Sequence, residues 1–381
     1  MIFTEEQQKV LELARTGKSF FLTGKAGTGK STVVNELKKI LSNRAVFLAT
    51  TGVAASNIGG ETVHSFFSIK PFGFLQEEDA NWIKNEKRTM WQSIKTIVID
   101  EVSMLRPDVL DCINWTLEKN IGQTIKSYQL IFVGDMKQLM PVYKNEDLQL
   151  CQETYKSLTW ESAFCIEEKK INIQTVELTE IKRQNDREFI DALNKVRDGL
   201  QSSYFDNFSS AYKGIVLAPY NKQVSEYNLK MLQSIPGELV VLDCNKSEEY
   251  KTGTTIAEER LFLKNGCRVM YLKNDEFFYN GYIGHLTIDD WGIFKLDNIP
   301  IKEHTWYTYK YGIKNGVVTA LQDQWITQLP IKPAYALTVH KAQGLTFDEI
   351  TVDLSSGMFA QGQLYTALSR VKTPQGLSII Q

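Results

Sequence analysis

The chain reads as an α/β protein built on parallel sheets in two halves. Three observations predict this: short apolar runs alternate with helical stretches, each run in the first half ends on a functional segment, and the first of those ends is a phosphate-binding loop. Strands are expected at Phe20–Thr23, Val46–Thr50, Ile97–Asp100 and Leu130–Gly134. Apolar runs without polar alternation suit strands covered on both faces. In open parallel sheets, ligands gather beyond the carboxyl ends of the strands, so one edge should carry the chemistry.

The first strand runs into Gly24-Lys-Ala-Gly-Thr-Gly-Lys30-Ser31, which fits G-x-x-x-x-G-K-[ST] with a strand before it and a helix after. The glycines let the backbone close around phosphate oxygens, and the following helix adds the positive end of its dipole. Gly24, Ala26, Gly27, Thr28, Gly29, Lys30, Ser31 and Thr32 are the expected contacts to a nucleoside triphosphate. Lys30 would reach the β- and γ-phosphates, and Ser31 would hold Mg2+.

Thr96-Ile-Val-Ile-Asp100-Glu101 is a buried-strand pattern ending in two carboxylates. Beside a phosphate loop, Asp100 would hold Mg2+, through water, and Glu101 would orient and deprotonate the attacking water. A third strand leads into Gly134-Asp135-Met-Lys-Gln138-Leu-Met-Pro141-Val142, where Asp135 and Gln138 are placed to sense the γ-phosphate. These residues predict a nucleotide hydrolase.

The order of motifs resembles the superfamily-1 helicases: phosphate loop, Thr50-Thr51-Gly52-Val-Ala-Ala55, Asp-Glu-Val-Ser-Met104, then the segment ending at Val142. The second half continues the likeness with Leu178-Thr-Glu-Ile-Lys-Arg183-Gln184, Ala336-Leu-Thr338-Val-His340-Lys341-Ala-Gln343-Gly344, and Gln363-Leu-Tyr-Thr-Ala-Leu-Ser369-Arg370. Thr62-Val-His64-Ser65-Phe66-Phe67 and Val102-Ser-Met104-Leu-Arg106-Pro-Asp108 narrow it to a resemblance to the petite-integration-frequency helicases, relatives of RecD and the phage helicase Dda. The likeness spans Phe3 to Ser378. Met140, where a proline is usual, and Lys182, where an aromatic is usual, depart from the pattern without removing a reacting group.

The resemblance implies two RecA-like motor domains, 1–175 and 176–381, and an ATP-dependent motor moving 5′→3′ on single-stranded DNA. It would unwind duplex, G-quadruplex or RNA–DNA hybrid. The alternative is a DNA-stimulated ATPase that translocates or remodels protein–DNA complexes without unwinding. ATP would meet Lys30 and Glu101 from one half and Gln138, Gly344, Arg183 and Arg370 as further contacts, the arginines acting as fingers on the γ-phosphate. Gln7 is the family's adenine reader, but Thr4-Glu-Glu-Gln7 also spells a helix capping box, and Gln8 stands beside it. Thr51, Gly52, His64, Ser65, Asn221, Thr338, His340 and Lys341 match positions that grip the DNA backbone. Such contacts position a strand without reading its sequence.

Two insertions break the alternation. Residues 69–93, charged and holding Pro71, Phe72 and Phe74, stand where the family places a duplex-splitting wedge; a surface excursion is the other reading. Residues 283–330 carry short alternating runs and turns that suggest a small β-barrel, which the resemblance makes SH3-like. Its aromatics serve either to fill a barrel core or to stack on bases. The second half is expected to hold strands at Ile215–Ala218, Val269–Leu272, Ile350–Val352 and Ser378–Ile380.

With 381 residues the chain has room for two or three cored domains, and its net charge of −2 calls for a local basic patch to bind DNA. The five cysteines form no C-x-x-C pair, which predicts reduced thiols rather than disulfides or zinc. No apolar run approaches the ~18 residues of a membrane span, and no signal-peptide pattern opens the chain. A cytoplasmic monomer, nucleoid-associated if bacterial, is expected.

Overall fold

The computed structural model describes residues 3–41, 44–70, 73–141, 143–164, 173–181, 183–184, 186–252, 254–358 and 362–381. Pro71, Phe72, Val142 and Lys182 lie outside the described residues. The chain divides into two compact units. The first comprises Met1–Met136, Met140–Lys182 and Tyr307–Asp323; the second comprises Lys137–Leu139, Arg183–Trp306 and Gln324–Gln381.

The first unit runs α1 (Glu5–Arg15), β1 (Phe20–Gly24), α2 (Lys30–Ile40), β2 (Ala45–Ala49), α3 (Gly52–Asn57), β3 (Glu61–Thr62), α4 (Val63–Phe67), α5 (Asn85–Ser93), β4 (Thr96–Asp100), α6 (Pro107–Ile121), β5 (Gln129–Val133), α7 (Asn145–Tyr155) and β6 (Gln174–Leu178). Its six strands form one parallel sheet in the order β3-β2-β4-β5-β1-β6. Successive residues along each strand serve opposite cores, as the pleat requires. Phe20, Leu22, Phe47, Val98, Ile131 and Val133 pack with α1 and α2 residues such as Val10 and Val33. Phe21, Val46, Ile97, Ile99 and Phe132 pack on the other face with Phe66, Trp91 and Ile113.

This sheet keeps the chain longer than expected. Gln174–Leu178 pairs in parallel with β1 instead of opening the second half near Val176. The reason is burial: Val176 and Leu178 fill the same core as Leu22, so the chain cannot leave before Leu178.

The second unit contains α8 (Arg187–Arg197), β7 (Ile215–Ala218), α9 (Asn221–Ser234), β8 (Val240–Asp243), β9 (Asn245–Lys246), β10 (Arg260–Leu263), β11 (Arg268–Tyr271), β12 (Ile283–Ile288), β13 (Phe294–Leu296) and β14 (Ile299–Pro300). It also holds both ends of the long hairpin β15 (His304–Lys314) and β16 (Val317–Gln328), then β17 (Ile331–Pro333), β18 (Ala336–Thr338), β19 (Ile350–Asp353), α10 (Gln363–Leu368) and β20 (Leu377–Ile380). Its parallel sheet has the order β18-β7-β19-β20, and β18 opens the Ala336–Gly344 segment. Antiparallel strands β14-β13-β12-β11-β17 form a second sheet with its own apolar core.

The strand expected at Val269–Leu272 belongs to that antiparallel sheet, not to the parallel one. Val269 pairs with Gly284 on one side and Pro333 on the other. No helix stands between Tyr271 and Ile283, and a parallel pairing needs a longer crossover.

The hairpin β15–β16 turns at Asn315-Gly316, both at positive φ (53° and 76°), the combination that matches strand twist in a two-residue turn. Its outer part, Tyr307–Asp323, is built into the first unit. Tyr311 N–H donates to Glu61 (2.8 Å), and Phe47 N–H donates to the Tyr311 hydroxyl (2.8 Å).

One buried ion pair fixes the start of the 73–93 segment. Asp108, 0 % exposed, accepts from Arg106 Nε (2.9 Å) and Nη2 (2.6 Å) and from Leu75 N–H (2.9 Å). Arg106 also donates to the Gly73 carbonyl (3.0 Å) and to Asp147 of α7 (3.2 Å). Burial works against the Arg106 charge, but the Asp108 bonds outweigh it and hold the guanidinium above its usual pKa. Removing one partner of such a pair strands the other charge at a cost of about 3–5 kcal/mol. Asp108→Ala is therefore expected to lose stability of that order in chemical denaturation; a loss below about 1 kcal/mol would contradict the assignment.

Candidate nucleotide and nucleic-acid site

In the first unit, the functional segments follow the carboxyl ends of β1, β2, β4 and β5. The phosphate loop leaves β1 at Gly24, where an added Cβ would stand 2.7 Å from the Leu178 carbonyl oxygen. Gly29 caps α2 at φ +88°, and a Cβ there would meet Gln7 Nε2 at 2.8 Å. Thr28 turns inward, its hydroxyl donating to the Lys25 carbonyl (3.0 Å). Lys30 Nζ spans the loop, donating to the carbonyls of Gly24 (2.6 Å) and Lys25 (3.1 Å). Ser31 and Thr32 occupy the first turn of α2, with Ser31 exposed, and Ala26 and Gly27 complete the loop.

Gln7 closes the loop from behind. It forms the capping box with Thr4, accepting from Thr4 N–H (3.1 Å) while its own N–H donates to the Thr4 hydroxyl (3.2 Å). Its amide nitrogen also faces the Thr28 carbonyl (3.5 Å). Gln8 instead reaches the Phe3 carbonyl (3.3 Å). Glu6, not anticipated from the sequence, accepts from Thr179 N–H (2.8 Å) and hydroxyl (2.6 Å), tying α1 to the end of β6.

Asp100 ends β4 with its carboxylate accepting from Glu101 N–H (2.9 Å). Burial and then the neighbouring Glu101 charge push its pKa up, with Lys30 opposing. Two carboxylates and the lysine ammonium therefore share one electrostatic environment, and a cation would relieve the carboxylates. Glu101 adopts a left-handed backbone (φ 52°, ψ 42°), and Thr50 donates from its hydroxyl to the Glu101 carbonyl (3.1 Å). Non-glycine residues hold such a conformation at a cost of order 1–3 kcal/mol, most often at functional sites. Asp135 is buried just beyond β5.

In the second unit, two arginine segments converge on one turn. Arg183 Nη1 donates to the Ser369 carbonyl (3.0 Å), and burial lowers its pKa. Gln184, which the sequence did not single out as a site residue, donates to the same carbonyl (3.3 Å) and to that of Val371 (2.9 Å). Arg370 is only 2 % exposed, bonded to the Thr366 carbonyl (2.8 Å) and the Ser369 hydroxyl (2.8 Å). Gln138 is buried, its carbonyl oxygen 2.1 Å from where a Cβ on Gly362 would stand. Gly344, at φ +81°, lines a cavity of about 280 Å3 with Asn280, Thr346 and Lys372.

The expected DNA contacts fall into two groups in the first unit and two in the second. Ala49 of β2 pairs with Thr62 of β3, so Thr51-Gly52 and His64-Ser65 follow adjacent strand ends. The Thr51 hydroxyl caps α3 by accepting from Ala54 N–H (3.2 Å). Ser65 donates to the buried Glu61 (2.6 Å), and Lys87 donates to the Ser65 carbonyl (2.8 Å). Neither Glu61 nor Lys87 stood out in the sequence, because Glu61 is also held by Tyr311 N–H and Lys87 reaches Ser65, both contacts distant along the chain. Burial holds His64 and His340 below their usual pKa, favouring neutral rings. Thr338 accepts from Lys341 N–H (3.2 Å), and Lys341 faces Glu258 at 3.8 Å. Asn221 stands apart, exposed at the start of α9.

Among the described residues, no group of three or more His, Cys, Asp or Glu side chains could hold a metal ion. The four described cysteines are free thiols. No described helix is long and apolar enough to cross a membrane.

Comparison with known proteins adds three findings. A family profile, PIF1-like helicase, matches residues 2–206. The chain is 30 % identical over 407 residues to the ATP-dependent DNA helicase Pif1 of Bdellovibrio bacteriovorus, covering 98 % of this chain and 87 % of that protein. It is similar to unliganded Pif1 from Bacteroides (TM-score 0.86, 32 % identity) and to Bacteroides Pif1 in complex with ADP-AlF3 and single-stranded DNA (TM-score 0.68, 33 % identity). Both matches cover 100 % of this chain and 92 % of the other.

The loop geometry yields a direct test. Gly29→Ala would hold alanine in the left-handed region, costing roughly 1–2 kcal/mol, and would displace Gln7. Calorimetric titration with a non-hydrolysable ATP analogue is expected to show at least about tenfold weaker binding, while unchanged affinity would contradict the reading.

Proposed function

The chain belongs to the PIF1-like helicase family, and on that premise we propose that it is an ATP-dependent DNA helicase. It would move 5′→3′ on single-stranded DNA and open duplex, G-quadruplex or RNA–DNA hybrid ahead of it. The observation that carries this reading is the grouping of Lys30, Asp100 and Glu101 around a phosphate loop.

Water attacks the γ-phosphorus, the bond to the β–γ bridging oxygen breaks, and ADP and phosphate leave. Glu101, fixed by its strained backbone, orients that water and accepts its proton. Lys30 exchanges the carbonyls of Gly24 and Lys25 for the β- and γ-phosphate oxygens. Oxygen donors from Ser31 and Asp100 suit Mg2+, which takes one or two protein ligands plus nucleotide phosphates and neutralises their charge. Gln138, Arg183 and Arg370 would act on the γ-phosphate and Gly344 would be a further ATP contact; Arg370 would have to turn out of its buried position to do so. A finger of this kind is worth about 10³–10⁵ in rate in GTPases. Gln7 reads adenine while keeping its cap on α1.

Thr51, Gly52, His64 and Ser65 in the first unit, with Asn221, Thr338, His340 and Lys341 in the second, hold the sugar–phosphate backbone. Ser65 and Lys341 would exchange Glu61 and Glu258 for phosphate. We propose a monomer in solution, cytoplasmic and nucleoid-associated if bacterial, that works in replication, recombination, repair and telomere maintenance.

The second reading is a DNA-stimulated translocase that does not unwind. The segment 73–93 favours unwinding, because side-chain bonds from Arg106 and from Asp108 and Asn120 of α6 pin its backbone, as a wedge needs. The test compares one duplex carrying a 5′ or a 3′ single-stranded tail. Opening only from the 5′ tail, abolished by Glu101→Gln, is expected. Opening from the 3′ tail alone would overturn the polarity, and DNA-stimulated hydrolysis without opening would favour the translocase.

A further inference from the structure

Trp82 is 69 % exposed, yet the backbone on either side of it is fixed. Lys119 of α6 donates to the Ala80 carbonyl (2.7 Å), and Asn120 donates to the Asn81 carbonyl (2.8 Å) while accepting from Ile83 N–H (2.9 Å). Arg88 of α5 donates to the Ile83 carbonyl (2.8 Å). Ala80 and Ile83 are themselves buried, while Asn81 and the indole of Trp82 are exposed between them.

Two cations lie over the ring, which still leaves 69 % of the residue exposed. The Arg88 guanidinium lies 5.4 Å and the Lys119 ammonium 5.3 Å from its centre. Neither pairs with a carboxylate among the described residues; their hydrogen bonds go to the carbonyls just named. The contrast is Trp291, 88 % exposed on a turn where Lys295 pairs with Asp289 (2.9 Å) and no cation is found over the ring among the described residues. At Trp82, a flat π surface and two uncompensated positive charges occur together on a rigid support.

The geometry points to Trp82 as a nucleobase-stacking platform, with Arg88 and Lys119 taking the phosphates that flank the stacked base. A nucleic-acid strand supplies a flat π face and an anion at every residue, which is the chemistry this site complements. The inference rests on the proposed action on DNA and names a contact in addition to the backbone grips. The base comes either from a single strand or from the last pair of a duplex, and the two sources separate by substrate.

The test measures binding of a labelled single strand and of a forked duplex to the full chain, wild type against Trp82→Ala and Trp82→Phe. 2-Aminopurine placed along the strand and at the junction reports stacking. Stacking on an aromatic side chain is worth about 1–3 kcal/mol per base, so Trp82→Ala is expected to weaken binding at least about fivefold and abolish quenching at one position. Trp82→Phe should restore most of both. A loss with both substrates assigns the base to the single strand, and a loss confined to the fork assigns it to the duplex end. Wild-type affinity and quenching in Trp82→Ala would overturn the inference while leaving the function intact. If the wild type binds neither DNA, the proposed function fails and this inference fails with it. Because Trp82 is exposed, both variants should fold, and equal melting temperatures check this.

Discussion

Burying six parallel strands on both faces is the constraint on which the first unit depends. Parallel strands are joined by crossovers, so their carboxyl ends all emerge along one edge. The glycine loop after β1, Thr51 after β2 and the carboxylates at the end of β4 are brought near one another by that single fact. Local details then adjust each group. Gly24 permits the approach of the Leu178 carbonyl, and the backbone turns left-handed at Glu101, directly after β4.

Buried charge sets the rest. Asp108 and Arg106 hold the start of the 73–93 segment, Glu61 holds Ser65 and the hairpin residue Tyr311, and burial, then the Glu101 charge, makes Asp100 hold its proton more tightly than usual. Each of these carboxylates is desolvated, which is costly unless a partner compensates. Asp108 and Glu61 find that partner within the protein. For Asp100, with Glu101 beside it, a bound cation would complete the compensation, which suits this pair to the proposed chemistry and the others to positioning.

Much of this was legible in the sequence. The phosphate loop, the Asp100-Glu101 pair and the parallel architecture follow from short contiguous patterns, and the family is confirmed. What was hidden is the work of contacts distant along the chain. The pairing of Gln174–Leu178 with β1, the antiparallel setting of Arg268–Tyr271 and the inclusion of Tyr307–Asp323 in the first unit all depend on register and burial, which periodicity does not encode. The same holds for single residues. Thr4 and Gln7 spell a cap that forms, whereas nothing in the letters around Arg370 indicates a side chain folded back onto the Thr366 carbonyl. Glu61, Lys87 and Gln184 escaped notice because their partners lie across the fold or act through backbone carbonyls.

The central claim is that nucleotide hydrolysis at this sheet edge is coupled to a DNA strand. Steady-state ATP hydrolysis measured with and without single-stranded DNA, in the wild type and in Lys30→Ala, tests it most directly. The account predicts a rise of at least about tenfold on adding the strand, and no hydrolysis above background in the variant. Hydrolysis that is indifferent to DNA, or that survives loss of Lys30, would contradict it.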